Sequence, residues 1–431
     1  MEENRIADWN GEKRMIQKPR GTRDFLPDEM ERRRAVEKRM RDVARCWGYR
    51  EVCTPAFEEL ELFTARSGQS IIEEMYVFED KGGRMMALRP EITAAVQRMY
   101  LNEARGTPKP LRWCYFADCF RYERPQKGRY RQFHQLDVEI LGYEDARIDA
   151  ELILMLIHFL KSVGLKLPQL ELNSLGCPSC RPSFRESILQ FLQGKEGDLC
   201  EDCRRRISTN PLRVFDCKME GCKHIIAQAP VIHDFLCGGC RDHFAEVLAS
   251  LAVFDIVYTI NPRMVRGLDY YARTTFEITT DFLGAQNAIV GGGRYDGLIR
   301  DLGGPDIPGI GFAIGFERLL AMMPADQGDN FINPPALFVA ALGAEAQKFA
   351  YELCNRFRIQ GIQTEMDYTA KGLKSQMKRA DRLKCEKVLI IGDREIESHE
   401  ADLRDMQTKE QIKVRLDNFE ELAKHIIAAW S

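Results

Sequence analysis

No stretch of this chain approaches the roughly 18 unbroken apolar residues that a membrane-spanning helix needs, so no transmembrane segment is expected. The N-terminal residues Met1-Glu2-Glu3-Asn4-Arg5 lack the apolar core of a secretory signal, which points to a cytoplasmic protein. Charge of either sign is not in excess: the net value of −3 over 431 residues excludes binding to nucleic acid by bulk electrostatics alone and leaves room only for local basic patches. Internal repeats and low-complexity tracts are missing too. What remains is a soluble globular chain, 45% hydrophobic and 29% charged, long enough for two or three domains.

Cysteine, in contrast, is plentiful and clustered. Eight of the 14 form four close pairs: Cys177/Cys180, Cys200/Cys203, Cys217/Cys222 and Cys237/Cys240. Three pairs are C-x-x-C and one is C-x₄-C, close to the ligand spacing of structural zinc sites. Without a secretory leader a disulfide lattice is disfavoured and metal thiolate chemistry favoured. Eight thiolates suit two tetrahedral four-cysteine sites, so zinc in one or two structural sites is expected; reduced buried thiols and an iron–sulfur cluster are the other readings. Pairing in sequence order is the simplest arrangement.

Periodicity divides the chain. Residues 1–17 are polar and expected to fray. Met30–Trp47 reads as an amphipathic helix with Val36, Met40, Val43, Ala44 and Trp47 on one face and its basic residues on the other; Gly48 ends it. Strand-like runs follow at Glu51–Pro55, Glu74–Glu79, Met85–Leu88, Leu111–Phe120 and Gln132–Ile140, the last two joined across Lys127-Gly128-Arg129. A helix at Asp149–Val163, strands at Leu170–Leu175 and Ala288–Gly293, and a strand entering a helix over Gly309–Leu320 complete an α+β body with an antiparallel sheet, residues 18–175 and 252–325. The cysteine-rich segment 176–251 is an insertion in that body. A linker at 326–335 leads to a small α/β domain, 336–431, with strands at Ala336–Ala341, Gln363–Glu365, Lys387–Ile391 and Gln411–Arg415.

The chemistry is concentrated in short segments. Arg266-Gly267-Leu268-Asp269-Tyr270-Tyr271 places a cation, a carboxylate and two phenols in one run. In Phe120–Gln135, Arg121 and Glu123 alternate as on one face of a strand, where an arginine can bind phosphate and a carboxylate an exocyclic amine; taken alone, such a pair is more often an exposed cross-strand ion pair. Phe133 can stack on a purine, and Arg124, Arg129 and Arg131 crowd so many guanidinium groups together that an anionic ligand is expected. His134 reads as a packed or solvated strand residue and not as a base. Arg318 follows a glycine run at a strand–helix junction, and Gly291–Asp296 is a second glycine-rich turn. In Leu88–Thr93, Glu91 either answers the dipole of a helix started by Pro90 or helps to cage an ammonium group.

Taken together these segments resemble the class II aminoacyl-tRNA synthetases. The first helix, strand and Pro55 look like motif 1, Phe120–Gln135 like motif 2 and Gly309–Leu320 like motif 3; Arg266–Tyr271 and Gly291–Asp296 are similar to the two segments peculiar to histidyl-tRNA synthetases. The resemblance implies ligation of L-histidine to tRNA(His) through an adenylate, with ATP and Mg²⁺, by a homodimer. By position, Arg121 and Arg266 would hold the α-phosphate, Glu123 the adenine edge, Phe133 and Arg318 the adenine faces, and Arg129 the terminal phosphates. Glu91, Thr93 and Gln135 would bind the α-amino group, Glu139 and Tyr271 the imidazole nitrogens, and Tyr295 would line that pocket. The C-terminal domain resembles an anticodon-binding domain, in which Lys374, Lys378 and Arg379 recur at helical spacing and could meet RNA phosphates, as could Arg124. Many relatives lack the cysteines of the insertion, which in the family touches the acceptor stem. A non-catalytic histidine- or RNA-sensing paralogue and a class II synthetase for another amino acid are the competing readings; the presence of Arg121, Arg266, Arg318 and the C-terminal domain argues against the first, and Tyr271, Glu139 and Arg266 against the second.

Overall fold

Aromatic and β-branched residues favour extended chain, and the runs Leu111–Phe120 and Gln132–Leu141 become the longest strands of the computed structural model. The structure describes residues 16–67, 69–125, 128–165, 169–265, 270–280, 288–323, 334–369 and 371–427. The chain divides into two units, 1–329 and 330–431. The expected linker falls almost wholly at 324–333, outside the described residues.

Strands of the first unit are, in chain order, β1 (Arg50–Glu51), β2 (Phe57–Glu59), β3 (Val77–Glu79), β4 (Met85–Leu88), β5 (Leu111–Phe120), β6 (Gln132–Leu141), β7 (Gln169–Ser174), β8 (Thr259–Ile260), β9 (Ala272–Thr279), β10 (Ala288–Arg294) and β11 (Gly309–Gly315). The large sheet has the order β1-β5-β6-β11-β10-β9-β7-β8, and β2, β4 and β3 form a small one. The large sheet is antiparallel from β5 to β7 and parallel only at its two edges, β1 with β5 and β7 with β8. Along β6, Leu136, Val138 and Ile140 are buried on one face. Phe133, Gln135, Asp137 and Glu139 take the other face, as a period of two requires.

Departures from the sequence reading have local causes. The first helix is Pro27–Cys46, starting earlier because Pro27 is tolerated in the first turn, where its missing N–H would be unpaired anyway. Its basic residues do not all face water: Arg33 lies between the rings of Phe25 and Phe316, 4.1 and 4.5 Å from their centroids, and donates to Glu317 at 3.1 Å. The strand expected at Glu51–Pro55 ends at Glu51, with one further bond from Val52 N to Cys114 O. Gln69–Glu74 is a 3₁₀ helix, so β3 begins only at Val77.

The segment between β7 and β8 is helical: Arg181–Leu192, Glu201–Thr209, Glu220–Ile226 and Gly238–Ala252. Its core includes Phe184, Ile188, Val214 and Ile232 together with Cys180, Cys203, Cys217, Cys222 and Cys240. The last of these helices packs on Ala146–Ser162, which also meets Pro27–Cys46. In the second unit, β12 (Leu337–Leu342), β13 (Thr364–Met366), β14 (Lys387–Gly392), β15 (Glu400–Asp405) and β16 (Gln411–Arg415) form a sheet in the order β13-β12-β14-β15-β16. It is parallel across β13-β12-β14 and antiparallel beyond.

Arg294, at the end of β10, is fully buried. It donates to Asp149 at 2.8 and 3.0 Å, to the carbonyls of Tyr143 and Asp145 at 3.2 Å and to Asp296 at 3.1 Å. This ties the sheet to the Ala146–Ser162 helix. Replacing Arg294 by Met should therefore cost about 3–5 kcal/mol, because it strands a buried carboxylate. Adding Asp149→Leu should restore much of the loss; urea unfolding of the single and double variants tests this, and a single variant as stable as wild type would refute it.

Candidate active site

One face of β6 is the floor of a cavity of about 420 Å³. Glu91, Thr93, Arg121, Glu123, Arg129, Phe133, Gln135, Glu139, Tyr271, Tyr295 and Arg318, the described residues that the resemblance assigns to ATP and histidine, all line it. Arg266 lies outside the described residues.

At one end the groups are cationic. Arg121 and Glu123 are not on a strand. β5 stops at Phe120, and although Arg121 N still bonds Arg131 O at 2.9 Å, Tyr122 N turns away to Glu74 O at 2.8 Å, so the ladder ends. Arg121 donates from Nε to the Pro90 carbonyl at 2.9 Å, and its guanidinium carbon lies 5.1 Å from the centre of the Phe133 ring. Arg318 donates to the carbonyls of Gly128 and Ala288 at 3.1 and 2.7 Å. Burial, with Arg129 and Arg121 close by, holds its pKa below the usual arginine value. Glu123 and Arg129 form an ion pair. This cluster of like charges with partial carboxylate relief suits a polyanion.

At the other end lie buried carboxyls. Glu139 accepts hydrogen bonds from the hydroxyls of Thr93 at 2.9 Å, Tyr115 at 2.7 Å and Tyr295. Burial pushes its pKa up to about 8, against the Tyr115 and Thr93 donors and with Glu91 adding repulsion. Two glycines of β11 make room: a Cβ on Gly311 would overlap the Glu139 carboxylate and one on Gly309 the Tyr295 ring. Glu91 accepts from the amides of Thr93 and Ala94 at 2.8 and 3.0 Å, at the start of the Thr93–Met99 helix, so it does cap that helix while facing the cavity. Burial still raises its pKa. The Gln135 carbonyl takes the Cys119 thiol at 3.0 Å.

Sequence reasoning missed Asp137 and gave no separate role to Tyr270; both also line the cavity. Asp137 is buried, its Oδ1 has no hydrogen-bond partner among the described residues, and burial beside Glu139 and Glu91 pushes its pKa far up. The signal was available, since Asp137 shares the period of Gln135 and Glu139. His134 is a packed residue: it bridges Asp118 at 2.8 Å and Glu317 at 2.6 Å. Burial opposes its charge, but those two carboxylates prevail and raise its pKa to about 9.

The cysteines gather into two groups, and the pairing is not sequential. Cys177 and Cys180 join Cys237 and Cys240, while Cys200 and Cys203 join Cys217 and Cys222, so one group is nested inside the other. The reason is the fold: the Arg181–Leu192 and Gly238–Ala252 helices start side by side at the base of the insertion. Four sulfurs on a zinc ion at 2.3 Å would be about 3.8 Å apart. The observed separations are 3.6 Å for Cys177–Cys180, 4.0 Å for Cys177–Cys237 and 3.8 Å for Cys200–Cys217. Backbone amides of Cys237 and Cys200 donate to the sulfurs of Cys180 and Cys222 at 3.2 Å, the kind of bond that supports a thiolate. Both groups can hold a metal ion.

Of the basic residues singled out for RNA, Lys374 and Lys378 are exposed one turn apart on Leu373–Arg382, whereas Arg379 is turned toward Asp367 at 3.5 Å. Arg124 is exposed in the loop after β5, outside the cavity. Among the described residues no helix is long and apolar enough to cross a membrane.

The sequence model described as histidyl-tRNA synthetase matches residues 21–319, and that of an anticodon binding domain matches residues 336–426. The chain is 48% identical over 409 residues to the histidine–tRNA ligase of Desulfatibacillum aliphaticivorans, covering 94% of this chain and 97% of that protein. It is 48% identical over 416 residues to the histidine–tRNA ligase of Geobacter sulfurreducens, covering 96% and 100%. The solved structure of apo S. aureus histidyl-tRNA synthetase aligns with a TM-score of 0.79 at 37% identity, over 94% of this chain and 98% of that one.

A carboxyl whose pKa rises on folding stabilises the fold below its unfolded value, and that stability is lost as pH climbs through about 8. Glu139→Gln does not titrate. In the absence of ligand its melting temperature should therefore gain on wild type by several degrees more at pH 9 than at pH 5. A difference that does not change with pH would rule out burial of Glu139 as the cause.

Proposed function

Because this chain belongs to the histidyl-tRNA synthetase family, we propose that it ligates L-histidine to tRNA(His) through a histidyl-adenylate, using ATP and releasing AMP and diphosphate. The observation that carries the reading is the polarity of the cavity, with guanidinium groups at one end of the β6 row and buried carboxyls at the other.

Arg121 and, from outside the described residues, Arg266 would grip the α-phosphate. The histidine carboxylate, already ionised, attacks that phosphorus and needs no general base; negative charge grows there, and fixed cations stabilise it without reorganising. Phe133 and Arg318 sandwich adenine, and Glu123 accepts from its amine. The Glu123–Arg129 pair opens as ATP enters, freeing Arg129 for the terminal phosphates, where Mg²⁺ shares the charge. Glu139 and Tyr271 hold the two imidazole nitrogens, and Tyr295 closes the pocket. Glu91, Thr93 and Gln135 take the ammonium group: each carboxylate oxygen of Glu91 keeps a lone pair beyond its amide bond. Asp137, between Gln135 and Glu139, adds its unpaired oxygen to this cage. A site built to pair both ring nitrogens rejects apolar rivals, which would leave these groups buried without partners.

The histidyl group then passes to the terminal ribose of tRNA, while the second unit reads the anticodon loop and Lys374 and Lys378 contact phosphates. The two cysteine groups each hold zinc as a structural ion. The enzyme works as a homodimer through the Pro27–Cys46 helix and the strand after it, in the cytoplasm.

ATP–pyrophosphate exchange across all twenty amino acids should respond to histidine alone; exchange with another amino acid, or none, would overturn the assignment. Arg121→Ala and Arg266→Ala should each lower adenylate formation by about 10²–10³, the effect of losing one preorganised donor. Elemental analysis of protein purified without chelator should find two zinc ions per chain, and less than one would refute the metal sites.

A further inference from the structure

The outer cysteine group sits where the insertion leaves and rejoins the body. Leu175 N donates to Arg273 O at 2.7 Å and Arg273 N to Gly176 O at 2.9 Å, so the β7–β9 ladder runs on to the residue before Cys177. Arg181, next to Cys180, donates from Nη2 to the backbone carbonyl of Tyr271. The chain ahead of Tyr271 is held from the same side. Arg263 donates to the carbonyls of Ile226, Ala227 and Ala229 at 3.2, 2.6 and 3.2 Å, at the end of an insertion helix, and Asn173 Nδ2 donates to Met264 O at 2.9 Å. Residues 263–264 and 271–273 are thus both anchored to β7 or the insertion.

We propose that the outer four-cysteine site is a positioning device for the amino-acid pocket: a metal held by Cys177, Cys180, Cys237 and Cys240 fixes Gly176 and Arg181, and Arg181 fixes the backbone of Tyr271, whose side chain lines the cavity. A guanidinium bond to a carbonyl holds that carbonyl in place only if the arginine backbone is itself fixed, since a free arginine spends the bond on ordering its own long side chain. Here the backbone is fixed one residue away, at Cys180, whose sulfur also accepts from Cys237 N. Packing within the turn is tight: Gly176 has φ +63°, and a Cβ there would stand 2.7 Å from that of Cys180. The inner group follows a longer path to the body, from Cys222 through the end of its helix to Arg263. Arg181 is accordingly a positioning residue for histidine and not for ATP, whose end of the cavity is built from β6, the loop around Arg121 and the Phe316–Met322 helix that carries Arg318.

The inference rests on reading the cavity as a histidine site and the cluster as a metal site. The test uses full-length protein, equilibrium histidine binding by calorimetry, KM for histidine and for ATP in exchange, and metal content. Arg181→Ala should weaken histidine about tenfold, the loss of one charge-assisted hydrogen bond, with KM for ATP within about threefold and metal content unchanged. Arg181→Lys, which keeps a donor, should recover part of the loss. Cys237→Ser should lose one metal per chain and weaken histidine at least as much, and the double variant should be no weaker than Cys237→Ser alone. Equal shifts in the histidine and ATP constants, or losses that multiply in the double variant, would overturn the proposal; if Cys237→Ser does not fold, the two Arg181 variants decide it. A wild-type protein that binds no histidine would refute the assigned activity and this inference with it, whereas histidine-binding wild type with unsplit constants refutes the inference alone.

Discussion

Every recognition group in the cavity is referred to one row of side chains, Phe133, Gln135, Asp137 and Glu139, on the central strand β6. A strand presents alternate residues on one face at a fixed rise, so the row spans about 20 Å from ring to carboxylate. Because β6 is hydrogen-bonded on both sides, by β5 and β11, its register cannot slip without turning Leu136, Val138 and Ile140 out of the core. The distance between the arginine end and the Glu139 end is thereby set by backbone geometry. Side-chain flexibility enters with Arg121 and Arg129, carried by the chain between β5 and β6, and with Arg318 on the Phe316–Met322 helix.

The two ends differ in what solvent would otherwise do for them. Carboxyls at the Glu139 end are stripped of water, and their pKa values rise for that reason first. Hydroxyl donors from Thr93, Tyr115 and Tyr295 compensate in part, which orients Glu139 at the cost of keeping it poorly solvated. At the arginine end, like charges are brought together and Glu123 relieves them in part. The substrates proposed above, a zwitterionic amino acid and a polyanionic nucleotide, would supply what both ends lack.

Much of this was legible in the order of residues. Leu111–Phe120 is a strand at the limits its composition suggests, and the row on β6 follows from its period of two. What was not legible depends on partners remote in sequence. Tyr122 N finds Glu74 O, so Arg121 and Glu123 leave the sheet that their alternation suggested. Arg33 carries a charge on what reads as a solvent face, yet Phe25, Phe316 and Glu317 enclose it. β15 escaped notice because Ala401 and Leu403 are its only well-buried residues, too short a pattern to mark a strand among four polar neighbours. Asp137 had the right period, but a carboxyl between two assigned residues gives no sign by itself that it will be buried without a partner.

The cysteine pairing shows how topology decides what spacing cannot. Equal C-x-x-C spacing is compatible with either order of joining. Sequential joining would make two beads along the insertion, with its exit strand untethered to its entry. Nesting instead closes the outer site across the base, from Cys177 to Cys240, and leaves the inner site to close a loop within. Closing the longer loop removes more freedom from the unfolded chain, though only as the logarithm of its length; the greater consequence is positional. Whatever happens between Arg181 and Leu236, the points of departure and return stay together, beside β7 and β9, and the Gly238–Ala252 helix is delivered onto Ala146–Ser162. Four thiols that can hold a metal ion thus stand at the place where disorder of the insertion would reach the sheet.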